Sequence, residues 1–327
     1  MNSGFRLLAA AASCIALLAA MPRTSAAQFP PFVNSWTAVN SYGLAVDNHG
    51  SVYSVDNLNY RVEKFTDTGA FVTQWGSQGS GNGQFNNPNG VAVDGNGNVY
   101  VADTWNRRVQ KFSSSGAYIT QWGSLGNGDG QFNQPYGIAV DASGTHVYVT
   151  DAALCRVQEF DGNGAFLAKW GSYGTGDGQF SGALGAAVDA SGNVLVADGG
   201  SSCRIEKFTS SGGYLTQWGS CYVNNLDTQS CGIWAVAIGP GGVIAAADPG
   251  CNMVKEFSAP GALLFRSSTT LGGCTPGYFA TPYAIAVDNL GNLYVASTGA
   301  NCIQKYGPGG STPTHASTWG RMKSIYR

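Results

Sequence analysis

Charge is scarce in this sequence, and the scarcity excludes whole classes of partner. Only 11% of the 327 residues are charged, with 17 Lys and Arg against 19 Asp and Glu. No Lys- or Arg-rich run occurs, and nucleic-acid binding requires a basic patch or stripe, so we expect no nucleic-acid partner. The 47 glycines, combined with so few charges, are instead typical of a turn-rich β-protein whose surface is polar but uncharged.

Long apolar runs are absent too, except at the amino terminus. Arg6 precedes an apolar stretch, residues 7–21, and small residues occupy 25–27, which is the pattern of a signal peptide. We therefore predict that residues 1–27 are removed and that the mature chain is secreted, periplasmic or attached to the cell surface. Cys14 leaves a lipoprotein signal as an alternative, although no Leu stands three residues before it. No other run approaches the roughly 20 residues needed to cross a bilayer, which predicts no membrane span.

A unit of about 47 residues recurs six times through the remainder of the chain. Its clearest copy, residues 90–123, contains four short runs separated by Gly-, Asn- and Ser-rich turns. Such runs predict four antiparallel strands, here named a, b, c and d. Three positions align the copies: strand a ends in Asp47, Asp94, Asp141, Asp189 and Asp288; strand b in Asp56, Asp103, Asp151, Asp198 and Asp248; strand d in Trp75, Trp122, Trp170 and Trp218, with Phe265 in the fifth copy. Because sheets packed radially cover one another, the sequence predicts an all-β, six-bladed β-propeller over residues 28–306.

The segment that leads from strand b into strand c resembles the NHL repeat family. In the second copy it reads DTWNRRVQKF, residues 103–112, which is similar to that family's signature of Asp, Asn, Arg, Val, Gln and Phe. The other copies are weaker: DNLNYRVEKF, DAALCRVQEF, DGGSSCRIEKF, DPGCNMVKEF and STGANCIQKY. The resemblance covers nearly the whole mature chain and implies a six-bladed propeller. It implies no single activity, because unrelated functions occur on this fold.

Two segments compete for the fourth strand of the sixth blade. FVNSW, residues 32–36, resembles strand d but precedes the first strand a, whereas HASTWG, residues 315–320, follows the sixth strand c. We predict that the amino-terminal strand closes the ring, since GPGGSTP, residues 307–313, is typical of a linker. Residues 307–327 are then a linker and a basic carboxy-terminal tail. We interpret the tail as disordered or edge-covering, and an address for sorting or attachment is the alternative.

Seven cysteines remain after removal of the signal peptide, in b–c and d–a loops, which emerge on the same face of a propeller. In an exported protein they predict disulfides. We predict the pairs Cys251–Cys274, Cys221–Cys231 and Cys155–Cys203, which leave Cys302 over. Zinc is the rival interpretation, but neither a CxxC spacing nor a nearby His supports it, so we expect no metal there.

The first three d–a connections are glycine-rich and end in a Gln-Phe pair, with Phe85, Phe132 and Phe180. We interpret them as turns that the phenylalanines plug into the gaps between blades. Binding of calcium or phosphate, suggested by the glycines with Asp129 or Asp177, is the alternative. Calcium, however, needs several convergent oxygens, and each loop offers one carboxylate at most.

Six residues are predicted to surround the mouth of the central channel, five positions before the end of strand a: Tyr42, Asn89, Tyr136, Leu184, Trp234 and Tyr283. The aromatics among them predict a site that receives a sugar or peptide by stacking, and filling of a narrow channel is the alternative. The secreted peptide-amidating lyases are NHL-like propellers with zinc-binding histidines at such positions. This chain has no His at any of the six, so that zinc site does not carry over and we expect no cofactor.

An arginine opens strand c in four copies, on the same face as the cysteines: Arg61, Arg108, Arg156 and Arg204. These arginines, and Trp105 in a b–c loop, are candidate ligand contacts, the arginines for an anionic ligand. The structural alternative, which we favour, pairs each arginine with the Asp that ends its own strand b. The sixth copy supports it, because Ser297 replaces the Asp where Cys302 replaces the Arg.

We therefore expect an exported monomer that binds a protein, peptide or glycan noncovalently on the face formed by the d–a and b–c loops. The alternative is an extracytoplasmic lyase or hydrolase, related to the peptide-amidating lyases but without their zinc histidines. Its catalytic residues would be Arg108 or Arg156 together with Tyr136. A passive surface component directed by its tail is a third hypothesis.

Overall fold

The chain folds into six antiparallel sheets of four strands each. A computed structural model describes residues 30–219, 232–259, 261–267 and 274–307, which contain 24 strands and three short 3-10 segments. The predicted signal peptide, the strand-like segment 315–320 and all of the tail after residue 307 lie outside the described residues. The prediction of an all-β, six-bladed propeller with four antiparallel strands in each blade is confirmed.

Each blade except the last follows chain order in its strands a to d. The strand that precedes blade one, and the strands of blades one to three, are β1 (Phe32–Thr37), β2 (Ser41–Val46), β3 (Val52–Asp56), β4 (Arg61–Phe65), β5 (Phe71–Trp75), β6 (Pro88–Val93), β7 (Val99–Asp103), β8 (Arg108–Phe112), β9 (Tyr118–Trp122), β10 (Pro135–Val140), β11 (Val147–Asp151), β12 (Arg156–Phe160) and β13 (Phe166–Trp170). Blades four to six contain β14 (Ala183–Val188), β15 (Val194–Asp198), β16 (Arg204–Phe208), β17 (Tyr214–Trp218), β18 (Ala235–Ile238), β19 (Ile244–Asp248), β20 (Met253–Phe257), β21 (Leu263–Arg266), β22 (Pro282–Val287), β23 (Leu293–Ser297) and β24 (Cys302–Tyr306). The 3-10 segments are Thr104–Asn106, Pro240–Gly242 and Thr298–Ala300.

The amino-terminal strand completes the sixth blade. Strand β1 pairs antiparallel with β24, so that Trp36 lies opposite Ile303. The strand order in this sheet is β1-β24-β23-β22, and the innermost strands of neighbouring blades contact one another around the ring, β22 with β2 included. Closure of the ring by the amino-terminal strand is therefore confirmed.

A tryptophan at the end of strand d packs on a glycine in the c–d turn of the next blade. A Cβ on Gly164 would lie 2.6 Å from the ring of Trp122, and the φ of Gly164 is +95°, so both space and backbone require glycine. The same contact recurs around the ring, in the pairs Trp36–Gly69, Trp75–Gly116, Trp170–Gly212 and Trp218–Gly261. The predicted packing role of the repeated tryptophans is confirmed.

Blade five lacks this tryptophan for a topological reason. Ser267 occupies the tryptophan position. Its N–H donates to the carbonyl of Val254 at 2.9 Å, and Val254 is equivalent to Val109 of blade two, which lies opposite Trp122. The expectation that Phe265 takes the tryptophan position is therefore wrong by two residues. Blade six takes its strand d from the amino terminus, so no c–d turn joins its last two strands. A tryptophan in blade five would have no turn glycine to cover.

Candidate functional site

The b–c loops and d–a loops form one face of the propeller, here called the loop face. The described d–a loops are residues 76–87, 123–134, 171–182 and 274–281. Phe85, Phe132 and Phe180 have fully buried side chains, and Phe85 lies 5.6 Å, centroid to centroid, from Phe112 of the next blade. Their interpretation as plugs between blades is confirmed, and Phe279 is buried in the same way before blade six.

Arg108 is fully engaged in holding the d–a loop in front of its own blade. Its Nε donates to Asp103 at 2.8 Å. Its two terminal nitrogens donate to the backbone carbonyls of Ser80, Gly81 and Gln84, each at 2.8 Å. The glycine-rich loop turns its carbonyls inward, and the guanidinium with its five donors satisfies several of them at once. We call this arrangement the arginine clasp.

Arg204 forms the same clasp in blade four. Its terminal nitrogens donate to the carbonyls of Thr175, Gly176 and Gln179, and its Nε lies 3.2 Å from Asp198. The clasp in blades two and four therefore combines a loop contact with the Arg–Asp pair that the sequence predicts.

Arg156 holds its loop without the predicted partner. Its terminal nitrogens donate to the carbonyls of Asn127, Gly128 and Gln131 at 2.7–3.1 Å. Among the described residues its Nε has no hydrogen-bond partner, and the ion pairs there include none between Arg156 and Asp151. Burial lowers the pKa of this guanidinium. The Arg–Asp prediction thus holds for blades one, two and four and is wrong for blade three.

Blade one shows the arginine without a clasp. Arg61 pairs with Asp56 at 3.0 Å and with Glu63 at 2.7 Å, and its side chain is 27% exposed, against 7–8% for the side chains of Arg108 and Arg204. Among the candidate ligand-binding arginines, Arg61 is the most accessible.

Blade five keeps the aspartate and replaces its cationic partner. Met253 stands where the arginine does, and Lys255, two residues further along strand c, bonds Asp248 at 2.9 Å. The buried carboxylate is therefore paired although the arginine is lost.

A disulfide replaces the arginine clasp in blade six. Cys302 opens strand c opposite Ser297, as Arg108 lies opposite Asp103 in blade two, and it is bonded to Cys274 in the d–a loop. The two cysteines are 6.1 Å apart between Cα atoms. The arrangement overturns the predicted pair Cys251–Cys274 and the prediction that Cys302 is left over.

The remaining cysteines differ from the prediction as well. Cys155 is a free, buried thiol, so the predicted pair Cys155–Cys203 is wrong. Cys203 and Cys251 are both disulfide-bonded. The predicted pair Cys221–Cys231 lies outside the described residues. Burial raises the pKa of the Cys155 thiol, which keeps it in the unreactive protonated form.

The predicted aromatic residues do meet at the mouth of the channel. Tyr42 stacks on Tyr283 with ring centroids 4.8 Å apart, and Trp234 meets Tyr283 edge-on at 4.8 Å. Tyr136 approaches Trp234 edge-on at 6.1 Å. The cavity that these residues line has a volume of about 60 Å³, which is room for a few water molecules and far below a typical ligand pocket. The rings therefore fill most of the mouth in this conformation.

The channel mouth is asymmetric because glycine follows the mouth residue in four blades and alanine in two. A Cβ on Gly43, Gly90, Gly137 or Gly185 would lie 2.2–2.7 Å from a backbone carbonyl oxygen of the next blade. Blades five and six carry Ala235 and Ala284 at this position. The ring of Tyr283, which precedes Ala284, contacts the rings of both Tyr42 and Trp234.

The other mouth residues are held in place by their surroundings. The side-chain amide of Asn89 donates to the hydroxyl of Thr104 at 2.8 Å and accepts from Asn57 at 3.3 Å. Burial raises the pKa of the Tyr136 hydroxyl, which therefore stays a neutral phenol. Leu184 is half-buried. None of these residues presents an ionised group to the channel.

Exposed apolar side chains lie in the loops of the loop face. Trp105, which the sequence singles out, is 55% exposed. Sequence reasoning missed three others: Leu58 at 60%, Leu125 at 65% and Tyr173 at 80% exposed. A signal was present, since Leu125 and Tyr173 replace the polar Gln78 at one position of otherwise nearly identical Gly-Ser loops.

The described ranges contain neither a metal-binding cluster nor a membrane-spanning helix. No group of three or more His, Cys, Asp and Glu side chains is placed there to hold a metal ion. No helix in that part of the chain is long and apolar enough to cross a membrane.

Similar solved structures are numerous and functionally diverse. Virginiamycin B lyase from Staphylococcus aureus is 15% identical, with a TM-score of 0.56 over 85% of this chain and 89% of that chain. A gluconolactonase from Xanthomonas campestris is 16% identical, with a TM-score of 0.60 over 86% and 96% of the two chains. A chain of the nidogen/laminin complex is 19% identical, with a TM-score of 0.53 over 70% and 80%. At these identities the likeness shows the fold alone.

The sequence comparisons add one family match. No curated protein matches the chain at a significant level. The NHL repeat model matches residues 85–112, which run from the plug Phe85 through strands a and b of blade two to the end of its strand c. The chain is thus a six-bladed β-propeller that carries an NHL repeat in its second blade.

Proposed function

We propose that this chain is an exported, monomeric propeller that binds a protein or peptide noncovalently through its loop face. One observation carries the proposal: Leu58, Trp105, Leu125 and Tyr173 expose more than half of their surface in the loops of that face. Exposed aromatic and aliphatic side chains on rigid loops are typical of interaction sites, where tryptophan and tyrosine supply much of the binding energy. Export rests on the signal-peptide pattern of residues 1–27 and agrees with the disulfides.

The charged residues of the loop face favour binding through apolar contacts. The terminal nitrogens of Arg108, Arg156 and Arg204 donate hydrogen bonds to loop carbonyls. An anionic ligand would have to displace those bonds and release the loop that they hold, which would cost part of its binding energy. Arg61, the exposed exception, is already shared between two carboxylates.

The enzymatic alternative has weaker support. An extracytoplasmic lyase or hydrolase would need Arg108 or Arg156 beside Tyr136, and no described contact joins either arginine to that tyrosine. Its remaining support is likeness of fold to a lyase and to a gluconolactonase. The nidogen/laminin complex, on equal grounds, places a similar fold in a protein–protein assembly.

The test uses the purified mature chain, residues 28–327, on arrays of proteins, peptides and glycans. We expect a protein or peptide ligand whose affinity falls about tenfold or more on Trp105→Ala, the effect of losing a central aromatic anchor. Ile119→Ala is the matched control, because Ile119 is 48% exposed on the outer strand β9, away from the loops. Equal losses in both variants, capture of glycans only, or turnover of a lactone or ester by the wild-type chain would contradict the proposal.

A further inference from the structure

We propose that the Cys274–Cys302 disulfide is a reducible clasp that fixes the d–a loop of blade six. An external dithiol would release this loop, while the arginine clasps of blades two to four stay closed. The inference concerns the loop face itself and does not depend on the identity of its ligand.

Structural equivalence between blades is the first support. Cys274 lies five residues before the buried Phe279, and Ser80 lies five residues before the buried Phe85. Arg108, the first residue of strand c in blade two, donates to the carbonyl of Ser80. Cys302, the first residue of strand c in blade six, is bonded to Cys274, which is equivalent to Ser80. The disulfide therefore joins the same two positions that the arginine joins elsewhere.

A second contact is common to both kinds of blade and remains after reduction. Gln304 donates to the carbonyl of Tyr278 at 2.9 Å, as Gln110 donates to the carbonyl of Gln84 at 2.7 Å. Gly277 donates its N–H to the hydroxyl of Tyr306 at 2.8 Å. Because these bonds persist and Phe279 stays buried, loss of the disulfide should loosen the loop without unfolding the blade.

The two cysteine residues differ in exposure, and this difference favours attack at Cys274. Cys274 is an exposed residue, whereas Cys302 is 2% exposed. The thiolate of the dithiol attacks Sγ of Cys274, forms a mixed disulfide and expels Cys302 as a thiolate, which takes up a proton. The second thiolate of the dithiol then attacks its own sulfur in the mixed disulfide and releases Cys274, also protonated. The dithiol is oxidised to a disulfide and the protein gains two thiols.

The experiment is amide hydrogen exchange of the mature wild-type chain and of Cys274→Ser/Cys302→Ser. The double variant is needed because a reductant also opens the disulfides of Cys203 and Cys251. The Tyr278 N–H donates to the carbonyl of Thr275 at 3.0 Å, and we expect its exchange to rise about tenfold or more in the variant, and in the wild type with dithiothreitol, with no change at residues 83–85.

Three outcomes would overturn the proposal. They are unchanged exchange at Tyr278 in the folded variant, an equal rise at residues 83–85, and a Tyr278 amide that stays protected in the wild type once thiol counting shows Cys274 and Cys302 reduced. If the double variant does not fold, the wild type is titrated with dithiothreitol. Exchange at Tyr278 that rises together with the reduction of Cys274 and Cys302 supports the proposal, and exchange that rises only with the reduction of Cys203 and Cys251 contradicts it. Protection regained in Ser297→Asp/Cys302→Arg under reducing conditions would support the equivalence of the two clasps, and failure to regain it in that folded variant would contradict it.

Discussion

Blades two to four hold the d–a loop with an arginine, and blade six holds it with a disulfide. In each, a glycine-rich d–a loop crosses the gap between blades and is tied to the first residue of strand c. Arg108 ties its loop by hydrogen bonds to carbonyls, and Cys302 ties its loop by one covalent bond. The fold therefore fixes the two positions that are joined, while the joining group can change together with its neighbours. Ser297, at the position of Asp103, carries no charge that would need an arginine.

Blade five adds a contrast at the opposite face. Blades one to four end strand d in a tryptophan that covers a turn glycine of the next blade, and blade five ends in Ser267. Blade five thus lacks the tryptophan at the one place where the next blade has no c–d turn for it to cover. The loss of this tryptophan therefore follows from ring closure, whereas the losses of Arg at Met253 and Cys302 are accompanied by compensating changes nearby.

The greatest loss of stability is expected when the tryptophan of blade two is replaced by serine, the residue that blade five has at this position. Trp122→Ser should destabilise the protein by about 3–5 kcal/mol, because it leaves Gly164 uncovered and empties the space between blades two and three. Ser267→Ala, its counterpart, should cost about 1 kcal/mol through loss of the hydroxyl bond to Val254. Urea unfolding monitored by far-UV circular dichroism measures both changes in the free energy of unfolding. Equal losses would show that Trp122 contributes no more than Ser267 does.

The next prediction separates the two functions of the arginine. Arg108→Ala removes the loop bonds and leaves Asp103 without its cation, so we expect a loss of about 3 kcal/mol. Arg156→Ala removes only loop bonds, since Arg156 is not paired with Asp151, and should cost about 1–2 kcal/mol. Denaturant unfolding of the two variants decides. A cost for Arg156→Ala equal to that for Arg108→Ala would show that the Asp pair contributes nothing.

Placing the blade-six residues in blade two tests whether the two sets of positions are equivalent. Ser80→Cys/Asp103→Ser/Arg108→Cys gives blade two the residues that blade six has at the equivalent positions, and we expect a disulfide to form there. The oxidised triple variant should recover about 2 kcal/mol of what Arg108→Ala loses, because no buried carboxylate is left unpaired and the loop is closed covalently. Thiol counting and unfolding with and without reductant measure this. A folded variant that keeps both new thiols free would refute the equivalence of the positions.

Much of the fold could be predicted because the repeat is read from local chemistry. Asp47 accepts the N–H groups of the turn that follows it, and Asp94 does the same in blade two. Such turn residues mark strand ends in the sequence itself. Ring closure was also predictable, since residues 32–36 carry the pattern of strand d ahead of the first strand a.

The errors arose where a contact crosses between blades or where a residue type changes at a repeat position. The partner of Cys302 depends on which loop faces the start of strand c, and that loop is identified only by the arginine contacts of other blades. Phe265 was misplaced because it is the aromatic residue nearest to the tryptophan position, whereas that position itself holds the small, polar Ser267, which bonds to Val254. At the candidate site, the channel aromatics were predictable from alignment of the copies. The exposed Leu58 was not, because a short apolar side chain in a loop has the same sequence signature whether it is buried or exposed.

The smallest effect concerns blade four, where Glu206 stands at the position of Gln110. Glu206 lies 2.6 Å from Arg204, but burial outweighs that attraction and raises the pKa of its carboxyl from 4.5 to about 7. Between these values the folded chain retains a proton that the unfolded chain has released, so stability falls as pH rises from about 4.5 to about 7 and is constant above. Glutamine does not titrate and can donate to the carbonyl of Gln179, as Gln110 donates to Gln84.

Glu206→Gln should therefore stabilise the protein by about 1 kcal/mol at about pH 8 and by nearly nothing at about pH 5, where Glu206 is itself protonated. The converse change, Gln110→Glu, should introduce the same pH dependence into blade two and serves as the matched control. Urea unfolding of wild type and both variants at the two pH values measures the difference. A gain for Glu206→Gln that is equal at both pH values would mean that the carboxyl is ionised throughout. Arg204 would then hold Glu206 as it holds Asp198, and blade four would tolerate a charge that blades two and three exclude with glutamine.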